Sequence, residues 1–147
     1  MSLNAVDCDI ERASIGHVDA LVSLMHELGY PTSRETMERQ LTRYAESDRS
    51  EVLVASVHND LCGVVSGHLI PALHQPGNIG RITAIVVAER ARSKGIASEL
   101  LKELEKWFRA NNCLRFEVTS GDHRDTAHRF YESRGYKLDE RRFLKIP

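Results

Sequence analysis

The apolar positions of this chain change period several times, and each change marks an element. Residues 8–13 read as a short strand. Ser14 then offers a cap to a helix of roughly three turns in which Val18, Leu21, Val22, Met25 and Leu28 recur at helical spacing. Gly29 ends that helix, and Tyr30-Pro31 leads to a second helix start at Thr32 or Ser33. Met37, Leu41 and Tyr44 give the second helix a thinner apolar face, so it is expected to be partly exposed and to border a cleft. Residues 51–58 (EVLVASVH) predict a strand, Asn59-Asp60 a tight turn, and residues 61–70 its antiparallel partner, with His68 near the end. The segment 71–78, with Pro71, His74, Pro76 and Gly77, reads as a loop.

The next apolar run, 79–88, has too few polar residues after Thr83 for an exposed edge and belongs near the centre of a sheet. A basic glycine turn follows, Arg92-Ser93-Lys94-Gly95-Ile96-Ala97. It opens a helix over 96–108 with Ile96, Leu100, Leu101, Leu104, Trp107 and Phe108 on one face, stopped by Asn111-Asn112. Residues 114–119 predict a strand parallel to the previous one, the helix being the crossover. After a polar loop over 120–123, Ala127, Phe130 and Tyr131 share one face of a short helix from about 124 to 134, closed by Gly135. A last hairpin is expected through 136–138 and 143–146.

Composition narrows the class without naming a function. A chain of 147 residues suits one domain, 1–147, and can bury a sizeable core without metal or disulfide support. Hydrophobic content of 41% and charged content of 28% are those of an ordinary soluble globular protein. A formal net charge of −1 gives no field for non-specific nucleic-acid binding, so no DNA or RNA partner is expected and any basic site must be local. Cys8, Cys62 and Cys113 form no CxxC pair and are odd in number, which predicts a reduced, cytoplasmic setting. The first ten residues do not read as a signal peptide, and no stretch approaches about 18 consecutive apolar residues, so no membrane partner is expected.

The glycine turn carries the first chemical signal. A strand–turn–helix of this kind aims the free N–H groups of the first helical turn at an anion, and the helix dipole favours negative charge there. Arg92 and Lys94 add charge, while Gly95 and Ala97 stay small where backbone must approach a ligand; phosphate is the natural guest. A P-loop is excluded because the Gly-Lys-Ser/Thr order is reversed in Ser93-Lys94-Gly95, and a Rossmann site because GxGxxG is absent. The histidines and cysteines lack ligand spacings such as HxxxH, so no metal is expected.

The pattern Val87-(four residues)-Arg92-x-x-Gly95-x-Ala97 resembles the acetyl-CoA signature of the GNAT N-acetyltransferases. The downstream run Ala127-His128-Arg129-Phe130-Tyr131-(three residues)-Gly135-Tyr136 is similar to that family's Ala-x-x-Phe-Tyr-x-x-x-Gly-Phe. The order of predicted elements agrees over nearly the whole chain. The resemblance implies an α/β (α+β layered) GNAT fold, with a central mixed, mostly antiparallel, twisted sheet of about six or seven strands flanked by about four helices. It implies acetyl-CoA as co-substrate, its pyrophosphate held by backbone N–H groups across Arg92, Ser93, Lys94, Gly95, Ile96, Ala97 and Ser98. A splay after Val87 would free main-chain groups of Ile85, Val86 and Val87 for the pantetheine amides and the thioester carbonyl. Tyr131 would protonate the departing thiolate as general acid, and Arg124 stands where many relatives carry a pantetheine-binding Asn.

The same resemblance implies direct attack by the acceptor amine, which needs a proton acceptor. Histone-type members place a Glu on the signature strand, whereas Ile82, Thr83 and Ala84 supply no carboxylate; Glu117, His68, His74 or a water relay remain as candidates. A further likeness is to the bacterial branch that includes aminoalkylphosphonate N-acetyltransferases. It rests on the Ala-His-Arg-Phe-Tyr run, Arg142-Phe143-Leu144-Lys145 and the spacing of Gly63, His68, His74 and Gly80; where this chain has Arg81 and Ala84, members of that branch tend to be acidic. The expected activity is acetyl transfer to a primary amine of a small molecule. The alternatives are a protein or peptide N-acetyltransferase and a non-catalytic acyl-CoA sensor. The family also allows a homodimer through the sheet edge or terminal hairpin.

Overall fold

The computed structural model describes residues 7–119, 125–139 and 142–147. They form one five-stranded sheet in the order β1-β2-β3-β4-β5: β1 Asp9–Arg12, β2 Ser50–Val57, β3 Asp60–Pro71, β4 Asn78–Val87 and β5 Cys113–Val118. The first three pairings are antiparallel and β4–β5 is parallel, as the crossover through a helix requires. The helices are α1 Val18–Glu27, α2 Arg34–Ala45, α3 Ile96–Ala110 and α4 Asp125–Ser133. Predicted and observed elements differ mainly at their ends.

The two faces of the sheet are distinguished by alternation along β3. Gly63 and Gly67 lie under α3, where a Cβ on Gly67 would come within 2.9 Å of Phe108 Cζ and 3.0 Å of Leu104 Cδ1. His68, next in sequence, therefore points to the opposite face, where α2 meets it. The α3 side is sealed by Ile96, Leu100, Leu101, Leu104 and Phe108, all fully buried, each large side chain contributing roughly 2 kcal/mol of transfer free energy. Across the sheet, Val18, Leu21 and Leu24 of α1 are equally buried, but α2 buries only Leu41. That thin face is the one expected of a helix at the border of a cleft. Ser33 caps α2, its Oγ accepting from the Thr36 N–H at 3.0 Å.

Two expectations are corrected. The β2–β3 turn is centred on His58 and Asn59 (φ 51° and 64°), one residue earlier than Asn59-Asp60, and Val57 pairs with Asp60. A two-residue hairpin turn with both central residues left-handed matches strand twist, and Asn tolerates that region. The terminal hairpin is not formed by the described residues: 136–139 and 142–147 carry no strand, and Leu138 and Phe143 are each 95% exposed. Among the described residues the sheet has five strands where about six or seven were expected, because apolar runs this short establish extended chain but not a ladder partner.

Candidate active site

The glycine turn is built for close approach. Ser93 (φ 63°) and Gly95 (φ 82°) are both left-handed, a conformation that glycine alone adopts without strain, and Gly95 is the N-cap of α3. Its carbonyl already accepts from the Glu99 N–H at 3.1 Å, but no side chain caps the helix, so the first-turn N–H groups at Ile96, Ala97 and Ser98 face outward without such a partner. Arg92, Ser93 and Lys94 are exposed; Ile96 is core, packed beside Gly63, and can offer a ligand only its backbone. Arg90, a residue the sequence did not single out, ties this region down. Its guanidinium donates to both Asp60 oxygens at 3.0 Å and to Glu27 Oε2 at 3.0 Å, joining the turn after β4 to the β2–β3 hairpin and α1.

The two edges of β4 are paired to different extents by the described residues. Its parallel ladder with β5 ends at Ile82–Val118, while its antiparallel ladder with β3 runs on to Val87–Gly63. Among the described residues, 83–87 therefore pair on one side only. A bulge begins this stretch: Ser66 pairs with Ala84 and Gly67 with Ile82, leaving Thr83 in excess, its Oγ1 2.7 Å from Ser66 Oγ. The Ala88 N–H donates to Cys62 O at 2.7 Å, so by antiparallel alternation Val86 turns its main chain toward β3 while Ile85 and Val87 turn theirs to the open side. Arg92 Nε reaches the Val87 carbonyl at 3.4 Å from that side.

A polar row crosses the sheet on the α2 face. Ser50, His68, Arg81 and Glu117 are successive Cα partners on β2, β3, β4 and β5, so their side chains share one face. His68 is held at both ring nitrogens, Nδ1 2.9 Å from Ser50 Oγ and Nε2 3.0 Å from Tyr44 Oη. Burial pushes the imidazole below its ordinary pKa. Glu117 sits between two guanidiniums, accepting from Arg115 Nε at 2.9 Å and lying 3.6 Å from Arg81 Nη1; Arg81 also donates to Thr119 Oγ1. His74 is exposed on the loop beyond Pro71 and is not brought to this row. Tyr44 and Ser50 carried no signal of their own, since one read as an apolar-face residue and the other lay just outside the predicted strand.

Tyr131 is half-buried on α4, its ring 5.4 Å from Phe130 and 5.8 Å from Tyr136. Its carbonyl accepts from the Arg134 and Tyr136 N–H groups at 3.0 Å, which closes the helix. The Tyr136 hydroxyl donates to Glu105 Oε2 at 2.6 Å and so fastens α4 to α3. Burial, then that carboxylate, push the Tyr136 phenol far above its ordinary range, which leaves it a structural donor. Arg124 lies outside the described residues. Among the described residues no group of His, Cys, Asp and Glu is placed to hold a metal ion, and no helix is long and apolar enough to cross a membrane.

Residues 18–136 match the model of the acetyltransferase (GNAT) family. Over 94% of this chain and 90% of the relative, the sequence is 28% identical to an aminoalkylphosphonate N-acetyltransferase of Salmonella typhimurium. The fold is shared with an aminoglycoside N-acetyltransferase, AAC(6')-Iy, solved in complex with CoA, at 13% identity and a TM-score of 0.84 over 100% of this chain and 99% of that one. It is also shared with glucosamine-6-phosphate N-acetyltransferase from Arabidopsis thaliana, at 17% identity and a TM-score of 0.81 over 96% and 99% of the two chains. The chain belongs to the GNAT family and is an acetyl-CoA-dependent N-acetyltransferase.

Proposed function

We propose that this enzyme transfers acetyl from acetyl-CoA to the primary amine of a small molecule by direct attack in a ternary complex. The observation that carries the reading is the stretch of β4, residues 83–87, that no described residue pairs on its β5 side and that lies between the uncapped start of α3 and the polar row through His68. Pyrophosphate binds the N–H groups from Arg92 to Ser98, with Arg92 and Lys94 supplying charge. Of the main-chain groups at Ile85 and Val87, one pairs with a pantetheine amide and the other polarises the thioester carbonyl. The Val86 side chain completes the wall.

In the reaction the amine nitrogen forms a bond to the carbonyl carbon and the C–S bond breaks. The amine's proton passes to the Tyr44–His68 pair, whose imidazole is neutral near pH 7, and Tyr131 gives a proton to the leaving thiolate. Between the two candidate bases the geometry favours His68. Glu117 is bracketed by Arg81 and Arg115, so each of its oxygens already faces a guanidinium rather than an incoming amine. These two guanidiniums against one carboxylate leave one positive charge in excess, which suits an amine that also bears an acid, such as the aminoalkylphosphonates named for the relative.

A thiol-release screen with acetyl-CoA and polyamines, amino acids, aminoglycosides and aminoalkylphosphonates tests this. Release is expected with acid-bearing small amines. Tight CoA binding with no release for any amine would favour a sensor, and release confined to peptides would favour a protein-modifying enzyme.

A further inference from the structure

Neither ring nitrogen of His68 is open to a substrate. Nδ1 lies 2.9 Å from Ser50 Oγ and Nε2 3.0 Å from Tyr44 Oη, so an amine reaches the imidazole only through one of two hydroxyls. A hydroxyl, unlike the guanidiniums around Glu117, donates and accepts at once and can therefore pass a proton on. The two hydroxyls differ in position. His68 pairs with Ser50 on one side and Arg81 on the other, so Ser50 stands on the far side of His68 from β4. Tyr44 comes over the row from the last turn of α2, half-buried, its ring 5.1 Å from the imidazole. Among the described residues His68 is the hydrogen-bond partner of the Tyr44 hydroxyl, which leaves an oxygen lone pair for an incoming N–H.

The hydroxyls also differ in chemistry. A phenol donates a hydrogen bond more strongly and accepts one more weakly than an aliphatic hydroxyl, because its oxygen lone pair is delocalised into the ring. The arrangement that suits both groups has the Tyr44 O–H donating to Nε2 and the Nδ1–H donating to Ser50 Oγ. Charged groups around the ring are committed elsewhere. Arg81, its partner on β4, serves Glu117 and Thr119; Arg49, ahead of β2, donates to Leu69 O at 3.2 Å and Asn78 Oδ1 at 3.1 Å. Glu51, next to Ser50, is held by Arg12 at 2.8 and 3.2 Å. Burial by itself lowers the imidazole pKa.

We propose that Tyr44 is the group that meets the acceptor amine and relays its proton to His68 Nε2, while Ser50 fixes the imidazole tautomer. As the amine nitrogen bonds to the carbonyl carbon and the C–S electron pair leaves with sulfur, the N–H proton moves to Tyr44 Oη and the phenol's own proton moves to Nε2. Tyr44 is neutral before and after. The charge ends on an imidazolium whose two N–H groups donate to Tyr44 Oη and Ser50 Oγ. The inference rests on His68 as the base proposed above; to it are added a catalytic residue, Tyr44, and a positioning residue, Ser50.

Long-range proton–nitrogen correlation spectra of the whole, nitrogen-labelled protein, at a pH where His68 is neutral, read the tautomer and need no acceptor. Wild type is expected to show the Nδ1–H form, Ser50→Ala to lose that bias and Ser50→Thr to keep it. The Nε2–H form in wild type would overturn the relay. Turnover of acetyl-CoA with aminoethylphosphonate, in variants whose spectra show a native fold, tests the proton path itself. Tyr44→Phe keeps the ring contact and removes the hydroxyl, so kcat should fall roughly a hundredfold with KM for acetyl-CoA unchanged. His68→Gln should fall as far and the double variant little further, because groups that act as a unit lose their effect together. A wild-type rate in Tyr44→Phe beside a slow His68→Gln, or losses that multiply in the double variant, would overturn the relay and leave His68 as a base acting directly. A wild-type rate in His68→Gln would remove the base, and the relay with it.

Discussion

Tyr44 and His68 meet although they stand on different elements, Tyr44 Oη lying 3.0 Å from His68 Nε2 with the rings 5.1 Å apart. The contact joins the last turn of α2 to the end of β3. With Ser50 at Nδ1, it satisfies both ring nitrogens with hydroxyls, so one hydroxyl accepts from the imidazole and the other donates to it.

This pairing has a pH signature. Burial lowers the His68 pKa from its ordinary 6.5, so the native state binds that proton less readily than the unfolded chain does. The stability tied to neutral His68 is complete above the unfolded value and is lost as pH falls through the lowered, native one. Urea unfolding over roughly pH 5 to 8 should show this slope in wild type and a flatter one in His68→Gln. The acid limb of kcat/KM should lie below pH 6.5 in wild type and disappear in the variant, with a large loss of rate. An unchanged limb would remove His68 from the proton path.

Replacing the hydroxyl of Tyr131 tests the acid. Tyr131→Phe keeps the ring contacts with Phe130 and Tyr136, so the fold should persist. The expected outcome is a fall in kcat of about a hundredfold with little change in KM for acetyl-CoA, measured by thiol release at saturating amine. A variant with wild-type kcat would show that the thiolate leaves without this proton.

At the glycine turn the proposed ligand-binding group is the backbone itself. Gly95→Ala forces a side chain into φ 82°, at a cost of roughly 1–2 kcal/mol. Thermal unfolding should register that loss, and KM for acetyl-CoA should rise while KM for the amine stays constant. A rise confined to the amine would place the turn in the wrong half of the site.

The sheet beneath the site tolerates little added volume. A Cβ on Gly80 would lie 2.7 Å from Phe108 Cγ, so Gly80→Ala should destabilise the fold by about 1–3 kcal/mol in denaturant unfolding. Adding Phe108→Leu should recover part of that loss, a coupling that a double-mutant cycle reads directly. Additive losses would mean that the backbone, not the ring, absorbs the strain.

The glycine turn and the helix it opens were legible in the sequence because their signals are local. Left-handed backbone at Gly95, free N–H groups at the start of α3 and apolar spacing along 96–108 all depend on near neighbours in the chain. The same holds for the placement of Tyr131 on a short helix, which α4 provides. Residues of the acceptor half are scattered along the chain, and no periodicity says that Tyr44 reaches His68 or that Arg81 and Arg115 bracket Glu117. Two local readings also failed: the turn at Asn59-Asp60 moved to His58-Asn59, and the terminal hairpin is absent from the described residues. In both, a register between segments had to be known.

The sequence by itself determined the order of most elements, the buried stripe of α3 and the glycine turn before it, since each arises from spacing within a few residues. Only the tertiary structure decided which residues of β4 pair with β5, which polar side chains form the row from Ser50 to Glu117, and that Tyr44 and Ser50 engage the two nitrogens of His68. The reason is physical. A helix or a turn is specified by contacts along the chain, whereas a bulge at Thr83, a cross-strand row and a contact between a helix and a strand exist only once distant segments have taken a common register.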